Sequence, residues 1–575
     1  MAALCVLSVA AQDETLSKTI SMPVEFEPSL LSTSRLSSYP TLLDPDYSVT
    51  VLSMSDFTTP SRPTTNLLTL SSPTSPDVIA KSPYRGYAAL GYMPVFNLGA
   101  SAGYRIIDTN KTQLGAWIQY NGNSFKSNTD ELPDGRLTRN TVNVDVNFAH
   151  IFRRAGRLGI DAGFIADGLN RPWIHRDSTL STTQFRVGAD WAARTNHIGY
   201  FLGAKYRTFS FNSPDYNMPA NPAAGSDWNI YESPTEMRYT VHGGAAYFFS
   251  KESSLAGHID VDFLHYSHFQ TFDDLTQAYF TRLPLGAPKA KTLGVVSFDP
   301  SYRYKSDLLS AKLGLKLQFT SKSGKTVHVA PDVNVALTPH HLFKAYATLG
   351  GGEHINNYAS LFNYIPYTSS SVAYNNSHIP FTGEIGLTFG PIAGLSVSLR
   401  GGYSVANDWL MPVAVVTDVQ DRIDYFFAPI NLNAWHAGAN IDWRVCNALS
   451  LSASALFAPG TLKHSYYLNR DRAKMVLDFA VKVNPIEHLQ LDASFSLRNR
   501  RSAMVYSLFD AAGKATSSMT KLSSMNSLNI GGSYEIFNWL SVFARFENIL
   551  NNRAGNLPFL EGQGFKGLFG AEVKF

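Results

Sequence analysis

Long apolar runs are absent from this 575-residue chain. No stretch approaches the roughly 18 apolar residues that a membrane-spanning helix requires, so any crossing of a membrane would have to use strands. Charged residues are also few, at 16%, against 44% hydrophobic and 13% aromatic residues. This composition excludes a disordered protein. The formal net charge of +3 is near neutral for this size and gives no reason to expect a nucleic acid as partner.

Cysteine and recognisable catalytic motifs are scarce as well. Cys5 and Cys446 are the two cysteines, too few for a disulfide framework. Phosphate-loop and dinucleotide-binding signatures are absent, and the glycine run at 350–352 is expected at the end of a strand rather than before a helix. Ser, His and acidic residues are numerous, but no spacing selects a catalytic trio. We therefore expect no catalytic residues, no cofactor and no enzyme activity.

The first 82 residues differ in composition from the rest. Residues 2–11 form a short apolar run that ends in small residues. This predicts a residual signal peptide over 1–11, although its positively charged start is missing and a frayed apolar terminus is the alternative. Residues 12–82 are rich in Ser, Thr and Pro, which predicts an extended tail.

Alternation with period two dominates from residue 83 to the C-terminus. Residues 142–148 alternate Val or Phe with Asn or Asp. Similar alternation recurs at 158–164, 259–263, 309–319 and 489–497. Each such strand has an apolar and a polar face and, at about 9 residues or more, is long enough to cross a bilayer on a tilt.

The links between the predicted strands alternate between short and mostly long. The short links are 153–157, 250–253, 338–341, 390–394, 445–448, 484–488 and 535–539. The long links are 123–139, 212–234, 269–291, 352–378, 408–431, 499–520 and 554–563. Tight turns at one rim and long loops at the other are typical of Gram-negative outer-membrane barrels, whose turns face the periplasm. Residues 83–575 are therefore predicted to form an all-β, transmembrane antiparallel barrel of about 22 strands, surrounded by outer-membrane lipid, with 12–82 in the periplasm.

Polar residues on the predicted strands indicate a hydrated lumen that carries both signs of charge. The candidate lumen residues are His258, Asp260, Asp262, Lys312, Lys316, Arg400, Asp442, Arg444 and Asp492. The first three lie about 7 Å apart along one strand face, which favours a polar lining over a metal site. The sequence predicts no metal site.

Aromatic residues cluster in two of the long links, and exposed rings on this scale would be a liability. The candidate lid residues are Phe362, Tyr364, Tyr367, Tyr425 and Phe426. Three alternatives stay open: the rings fold inward as a lid, they bind a ligand or surface partner protein, or some belong to the outer aromatic girdle.

The last strand and closing hairpin carry the most specific local signal. Phe569, Ala571, Val573 and Phe575 share one face, and the chain ends on an aromatic residue. These four resemble the terminal signal of outer-membrane barrels, which implies the barrel assembly machinery as a partner. Residues 542–551 (VFARFENILN), followed by GQGF at 562–565, are similar to the closing hairpin of TonB-dependent receptors of Bacteroidota.

Two further segments, 86–91 and 24–28, are similar to a Bacteroidota subgroup that has the receptor barrel without its plug. The residues before 83 are too few for the plug domain of a typical receptor, and Glu14-Thr15-Leu16-Ser17 is a poor energy-coupling box, so energy-coupled import is in doubt. Barrels of this width are normally obstructed, and inward loops, the tail or another protein would close this one. Two functions stay open: a solute channel or transport protein, which the resemblance implies, or a scaffold barrel that anchors a periplasmic or surface protein complex.

Overall fold

The computed structural model describes residues 84–94, 97–129, 132–152, 156–170, 179–212, 216–217, 229–230, 235–267, 292–321, 326–368, 375–417, 422–458, 473–508, 515–555 and 557–575. The predicted signal peptide at 1–11 and tail at 12–82 lie outside the described residues. Within these ranges, no helix is long and apolar enough to span a membrane.

The described elements are nearly all strands. The first half contains β1 (Gly86–Met93), β2 (Asn97–Asp108), β3 (Thr112–Thr129), β4 (Leu132–Phe152), β5 (Gly156–Asn170), β6 (Thr179–Arg194), β7 (Ile198–Asn212), β8 (Tyr216–Asn217), β9 (Asn229–Ile230), β10 (Thr235–Phe248), β11 (Ser253–Ser267), β12 (Thr292–Lys305) and β13 (Leu309–Ser321). The second half contains β14 (Val327–His340), β15 (Phe343–His354), α1 (Tyr358–Tyr364), β16 (Ser377–Ile392), β17 (Leu395–Thr417), β18 (Arg422–Cys446), β19 (Leu449–Phe457), β20 (Ala473–Ile486), β21 (Leu489–Leu508), β22 (Ala515–Leu522), β23 (Met525–Phe537), β24 (Leu540–Glu547) and β25 (Lys566–Lys574).

Twenty-two of these strands form one closed antiparallel barrel. Its wall runs from β1 to β7, from β10 to β21 and from β23 to β25, and β25 pairs back with β1. At the seam, the carbonyl of Phe575 accepts hydrogen bonds from the N–H groups of Arg85 and Gly86 at 2.7 and 2.6 Å. Each of the 22 described wall strands thus has a neighbour on both sides, as the lipid interior requires. The predicted fold class and strand number are confirmed.

Alternate residues of the wall point outward and are apolar. On β13, Leu313, Leu315 and Phe319 are exposed on the outer face, because lipid rather than protein surrounds them. Rings gather at the rim with the short turns, where Phe343 and Phe389 lie 5.0 Å apart between ring centroids. An apolar band bordered by aromatic residues is typical of a barrel that spans the outer membrane, and the chain is therefore a multi-pass outer-membrane protein.

Three of the expected long loops are mostly strand, which corrects the sequence-based prediction. The strands β3 and β4 extend through most of 123–139, β17 and β18 through most of 408–431, and β21 and β22 occupy much of 499–520. Between 410 and 416 the sequence is Leu-Met-Pro-Val-Ala-Val-Val and most of these side chains are buried. A strand covered on both faces has a continuous apolar run instead of an alternation, so the pattern did not identify it.

Candidate functional site

The short helix α1 lies inside the extracellular end of the barrel. Asn357 has extended backbone angles, and its side chain accepts a hydrogen bond from the N–H of Ser360 at 2.9 Å, so it caps the helix. Tyr358, Ala359 and Phe362 contact one apolar cluster and Leu361 contacts another. The helix is therefore apolar around most of its circumference because it is packed between two cores.

The first core, which we call the wall cluster, joins α1 to the inner face of the barrel. Its buried members are Leu169, Leu180, Phe209, Phe211, Leu264, Tyr266, Leu293, Tyr358, Ala359 and Phe362. Rings pack at centroid distances of 5.5 Å for Phe209 with Phe362 and 5.2 Å for Phe211 with Tyr358. The seven members outside α1 belong to strands β5, β6, β7, β11 and β12, so one side of the wall holds the helix.

The second core, the hairpin cluster, is built on the ends of β17 and β18. Its buried members are Leu361, Ile365, Leu410, Val413, Ala414, Val415, Ile423, Tyr425, Phe426, Phe427, Ala428, Val505, Tyr506 and Leu557. Residues 413–417 of β17 pair in parallel with 504–508 of β21, although β18, β19 and β20 separate these strands in the wall. The hairpin therefore leans over the mouth of the barrel instead of standing upright.

Contacts between the segments make α1 and the β17–β18 hairpin one unit, which we call the lid. Tyr364 lies 5.8 Å from Phe427 between ring centroids, and Thr368 forms a β-bridge with Tyr425. The hydroxyl of Tyr425 donates to the carbonyl of Pro558 at 2.8 Å. Tyr367 packs against both clusters, and burial raises the pKa of its phenol to about 12. The lid thus spans from one side of the mouth to the other.

A buried carboxylate anchors the first turn of α1. Glu236 on β10 is 1% exposed, and its Oε2 accepts a hydrogen bond from the N–H of Tyr358 at 2.5 Å. Arg207 on β7 lies 4.0 Å from Glu236 and donates to the side chain of Asn357 at 2.9 Å. A helix leaves its first N–H groups without partners, so an acceptor at this position satisfies one of them and complements the helix dipole.

Each predicted lid residue has a definite position in the lid. Phe362 lies in the wall cluster, Tyr425 and Phe426 lie in the hairpin cluster, and Tyr364 and Tyr367 pack against them. All five are buried or half-buried. Their role in opening or closing the barrel stays a prediction.

The predicted lumen residues lie on the face opposite the exposed apolar side chains of their strands. On β11, Asp262 accepts from Arg238 at 2.8 Å, and His258 lies 3.2 Å from Arg303. On β13, Lys312 pairs with Asp332 of β14 at 2.7 Å. These side chains bond across neighbouring strands and do not form one site.

The remaining predicted residues are spread around the wall. Lys316, Arg400, Asp442 and Asp492 lie on β13, β17, β18 and β21, and all four are partly buried. Arg444 is exposed at the end of β18, where it donates to Asn447 at 3.2 Å. The four residues of the predicted assembly signal lie on β25 and just beyond it, with Phe569 and Phe575 exposed.

The structure also brings together three side chains that the sequence did not suggest. His328 on β14, Glu353 on β15 and His378 on β16 offer ligand atoms within 4.8 Å of one another. The Oε1 atom of Glu353 lies 3.2 Å from Nε2 of His328 and 2.8 Å from Nδ1 of His378. The two imidazole rings are 4.3 Å apart between centroids. We call this group the histidine cluster.

A glycine run aims Glu353 into the barrel. Tyr346 on the same strand points inward and donates to Glu384 at 2.6 Å, so strict alternation would turn Glu353 toward lipid. The register of β15 against β16 shifts between Gly350 and Gly352, and Gly352 has a φ of +122°. The glycine run that was expected at the end of the strand thus lies inside β15. Such an irregularity redirects the side chains that follow it, and it explains why alternation did not identify Glu353.

Comparison with known proteins gives the fold. Neither a protein-family model nor a curated protein matches the chain. A mutant of the ferric enterobactin receptor PfeA from Pseudomonas aeruginosa superimposes with a TM-score of 0.61 at 10% identity, over 86% of this chain and 81% of that one. The barrel has the fold of TonB-dependent siderophore receptors.

Two other receptors of this fold give similar values. The siderophore receptor PirA from Acinetobacter baumannii has a TM-score of 0.60 at 10% identity, with 86% and 81% of the two chains covered. The outer-membrane ferripyoverdine receptor of P. aeruginosa, bound to ferripyoverdine, has a TM-score of 0.59 at 12% identity, with 86% and 72% covered. The superpositions establish a common barrel fold. At sequence identity this low, they say nothing about the ligand.

Proposed function

We propose that this protein is an outer-membrane transport barrel without a plug domain of its own, whose lid takes the place of the plug. A solute from outside would pass when the lid moves aside, and then cross the polar lumen. The observation that carries the proposal is the packing of the lid, which joins residues of the barrel's own connections at the extracellular end. The siderophore receptors that share the fold support transport as the general role.

The lumen supports passage of a hydrated solute. Cross-strand pairs such as Lys312 with Asp332 and Arg238 with Asp262 line the inner face with both signs of charge. Such a lining stays wet and selects weakly by charge. A barrel that served only as an anchor could fill the same space with apolar side chains.

Planar-bilayer conductance of the purified protein tests this function. Phe362→Ala removes a large side chain from the wall cluster, and Phe249→Ala removes an exposed ring at a periplasmic turn as a matched control. We expect low, intermittent conductance for the wild type and the control, and large steady conductance for Phe362→Ala. A correctly folded Phe362→Ala barrel that stays silent would argue against a passage gated by the lid.

The N-terminal segment is tested in the same assay by deleting residues 12–82. An increase in conductance on deletion would make this segment a second gate. Unchanged conductance would leave gating to the lid, or to a plug supplied by another protein.

A scaffold barrel is the second candidate function, and the packing of the lid favours it. The hairpin cluster contains side chains as buried as those of a soluble core, such as Ala414 and Phe427, which supports a lid that stays in place. One barrel of this fold, FpvAI, forms a complex with pyocin S2, which makes a protein partner reasonable here. Proteins that co-purify with the intact chain and are lost on deletion of 12–82, together with silent bilayers, would favour this role.

A further inference from the structure

The histidine cluster is the group of potential ligands that neither proposed role uses. It lies on three consecutive strands, β14, β15 and β16, on the inner face of the barrel. The side chains of His328 and Glu353 are 8% and 3% exposed, whereas His378 is 23% exposed. The cluster is therefore closed on the wall side and accessible from the lumen at His378.

We propose that His328, Glu353 and His378 bind a divalent first-row transition-metal ion of the Zn²⁺ class. Two imidazole nitrogens and one carboxylate oxygen are the donor set of many three-ligand zinc sites, with a fourth position for water or another ligand. Tetrahedral coordination at about 2.0–2.1 Å from zinc puts neighbouring ligand atoms roughly 3.3 Å apart. The nitrogen-to-oxygen distances are 3.2 and 2.8 Å, and all three ligand atoms lie within 4.8 Å of one another, so small side-chain shifts would give that geometry.

The donor atoms of the cluster suit a transition-metal ion better than an alkali cation or an anion. Imidazole nitrogen prefers zinc, copper, iron and nickel, and the carboxylate repels anions. Calcium and magnesium are disfavoured because they prefer all-oxygen coordination. The backbone N–H of Glu353 donates to Gln318 at 2.7 Å, so the strand that carries the carboxylate is held in place.

The site lies at the base of the lid. The chain runs from Glu353 through three residues to Asn357, which caps α1. Asn356 donates to the hydroxyl of Ser377 at 2.9 Å, next to His378. A bound ion would join β14, β15 and β16 where α1 begins, and would restrain the motion of the lid helix.

Metal binding to the purified full chain tests the proposal. The protein is prepared in detergent with a tag that contains no histidine, stripped with a chelator, and titrated with Zn²⁺ by calorimetry and with Co²⁺ by visible absorption. We expect one saturable equivalent, and Co²⁺ bands of a low-symmetry site with nitrogen ligands. His328→Ala and His378→Ala should each weaken Zn²⁺ binding by about tenfold or more.

His340→Ala is the matched control, because His340 is an exposed histidine beside a periplasmic turn. Its Zn²⁺ affinity should equal that of the wild type. The absence of saturable binding, or a loss of affinity in His340→Ala but not in His328→Ala, would overturn the proposal and leave the cluster as histidine–carboxylate pairs.

A second measurement does not depend on the variants folding. In the wild type, Zn²⁺ should slow hydrogen exchange of the amides in residues 353–364, and a chelator should reverse this effect. Equal exchange rates with and without Zn²⁺, in protein that calorimetry shows to be saturated, would refute the link between the metal and the lid.

Discussion

A single buried side chain, Glu236, binds the first turn of the lid helix, which Asn357 caps. It is almost fully buried and combines an acceptor for the N–H of Tyr358 with a charge near Arg207. Removing Glu236 is costly because the charge of Arg207 loses its counter-charge and the N–H of Tyr358 loses its hydrogen-bond acceptor. Nothing in the local sequence marks Glu236 for this role, since its partners lie more than 100 positions away along the chain or on a neighbouring strand.

Replacing this carboxylate should loosen the lid without opening the barrel wall. We expect Glu236→Ala to destabilise the closed lid by about 1–3 kcal/mol, because the N–H of Tyr358 is left unsatisfied. Hydrogen exchange of residues 358–364 should accelerate correspondingly. Glu252→Ala, at an exposed periplasmic turn, is the control and should leave exchange unchanged. Equal exchange rates in both variants would mean that Glu236 does not anchor the helix.

Gly352 is the second residue whose identity matters for the interior. Its φ of +122° is rarely adopted by residues with a side chain, and an added Cβ would approach the side-chain oxygen of Gln318. We expect Gly352→Ala to turn Glu353 away and weaken Zn²⁺ binding by about tenfold, since strained positions cost about 1–3 kcal/mol. Gly350→Ala is the control, because its Cβ would meet only Thr382 at 3.6 Å. Unchanged Zn²⁺ affinity in Gly352→Ala would show that the conformation of Gly352 does not position Glu353 in the histidine cluster.

At the scale of elements, the sequence predicted the strands whose alternating pattern is imposed by lipid on one face and the wet lumen on the other. Strands between lipid and water alternate, so the pattern at 309–319 matches β13, and the six short links that are fully described match turns between strands. Surfaces inside the lid follow no such rule. The ends of β17 and β18 are buried on both faces, and α1 has only seven residues, too few for a clear helical period.

The candidate site shows the same limit. The five aromatic lid residues were selected because exposed rings would be unfavourable, an argument that needs no knowledge of their partners. The histidine cluster was missed because its successive members are 25 positions apart in sequence and come together only through strand register. The alternation of side chains along β14 and β16 could have suggested that His328 and His378 point into the barrel. The register shift in β15 reverses the expected direction of Glu353, so alternation would have placed it on the outer face.

The hairpin cluster should be as sensitive as a soluble core to loss of volume. Phe427 is fully buried there, and we expect Phe427→Ala to destabilise the lid by about 3–5 kcal/mol through the cavity it leaves. Exchange of the amides at 409–416 and 423–430 should then increase, whereas Phe537→Ala at an exposed turn should not affect them. Retained protection in Phe427→Ala would show that the hairpin is held mainly by its strand pairing.

At the scale of the whole molecule, the barrel depends on the seam between β1 and β25. The last residue contributes main-chain bonds to that seam and an outward ring. We expect deletion of Phe575 to lower the yield of heat-modifiable barrel in the outer membrane several-fold, because two N–H groups lose their acceptor and the predicted terminal signal is shortened. Phe565→Ala removes an exposed ring near the other rim and should assemble normally. Equal yields would show that neither the seam contact nor the terminal ring limits assembly.

The lid has a further consequence because it is covalently continuous with the wall. Helix α1 follows β15 after three residues, and the hairpin is formed by the ends of β17 and β18, so barrel and lid are made in a ratio of one to one by translation alone. Short tethers of this kind keep a segment at an effective concentration on the order of millimolar near the surface against which it packs. A displaced lid should therefore return by a unimolecular step whose rate is independent of protein abundance, whereas a stopper supplied as a separate protein would have to be found by diffusion each time.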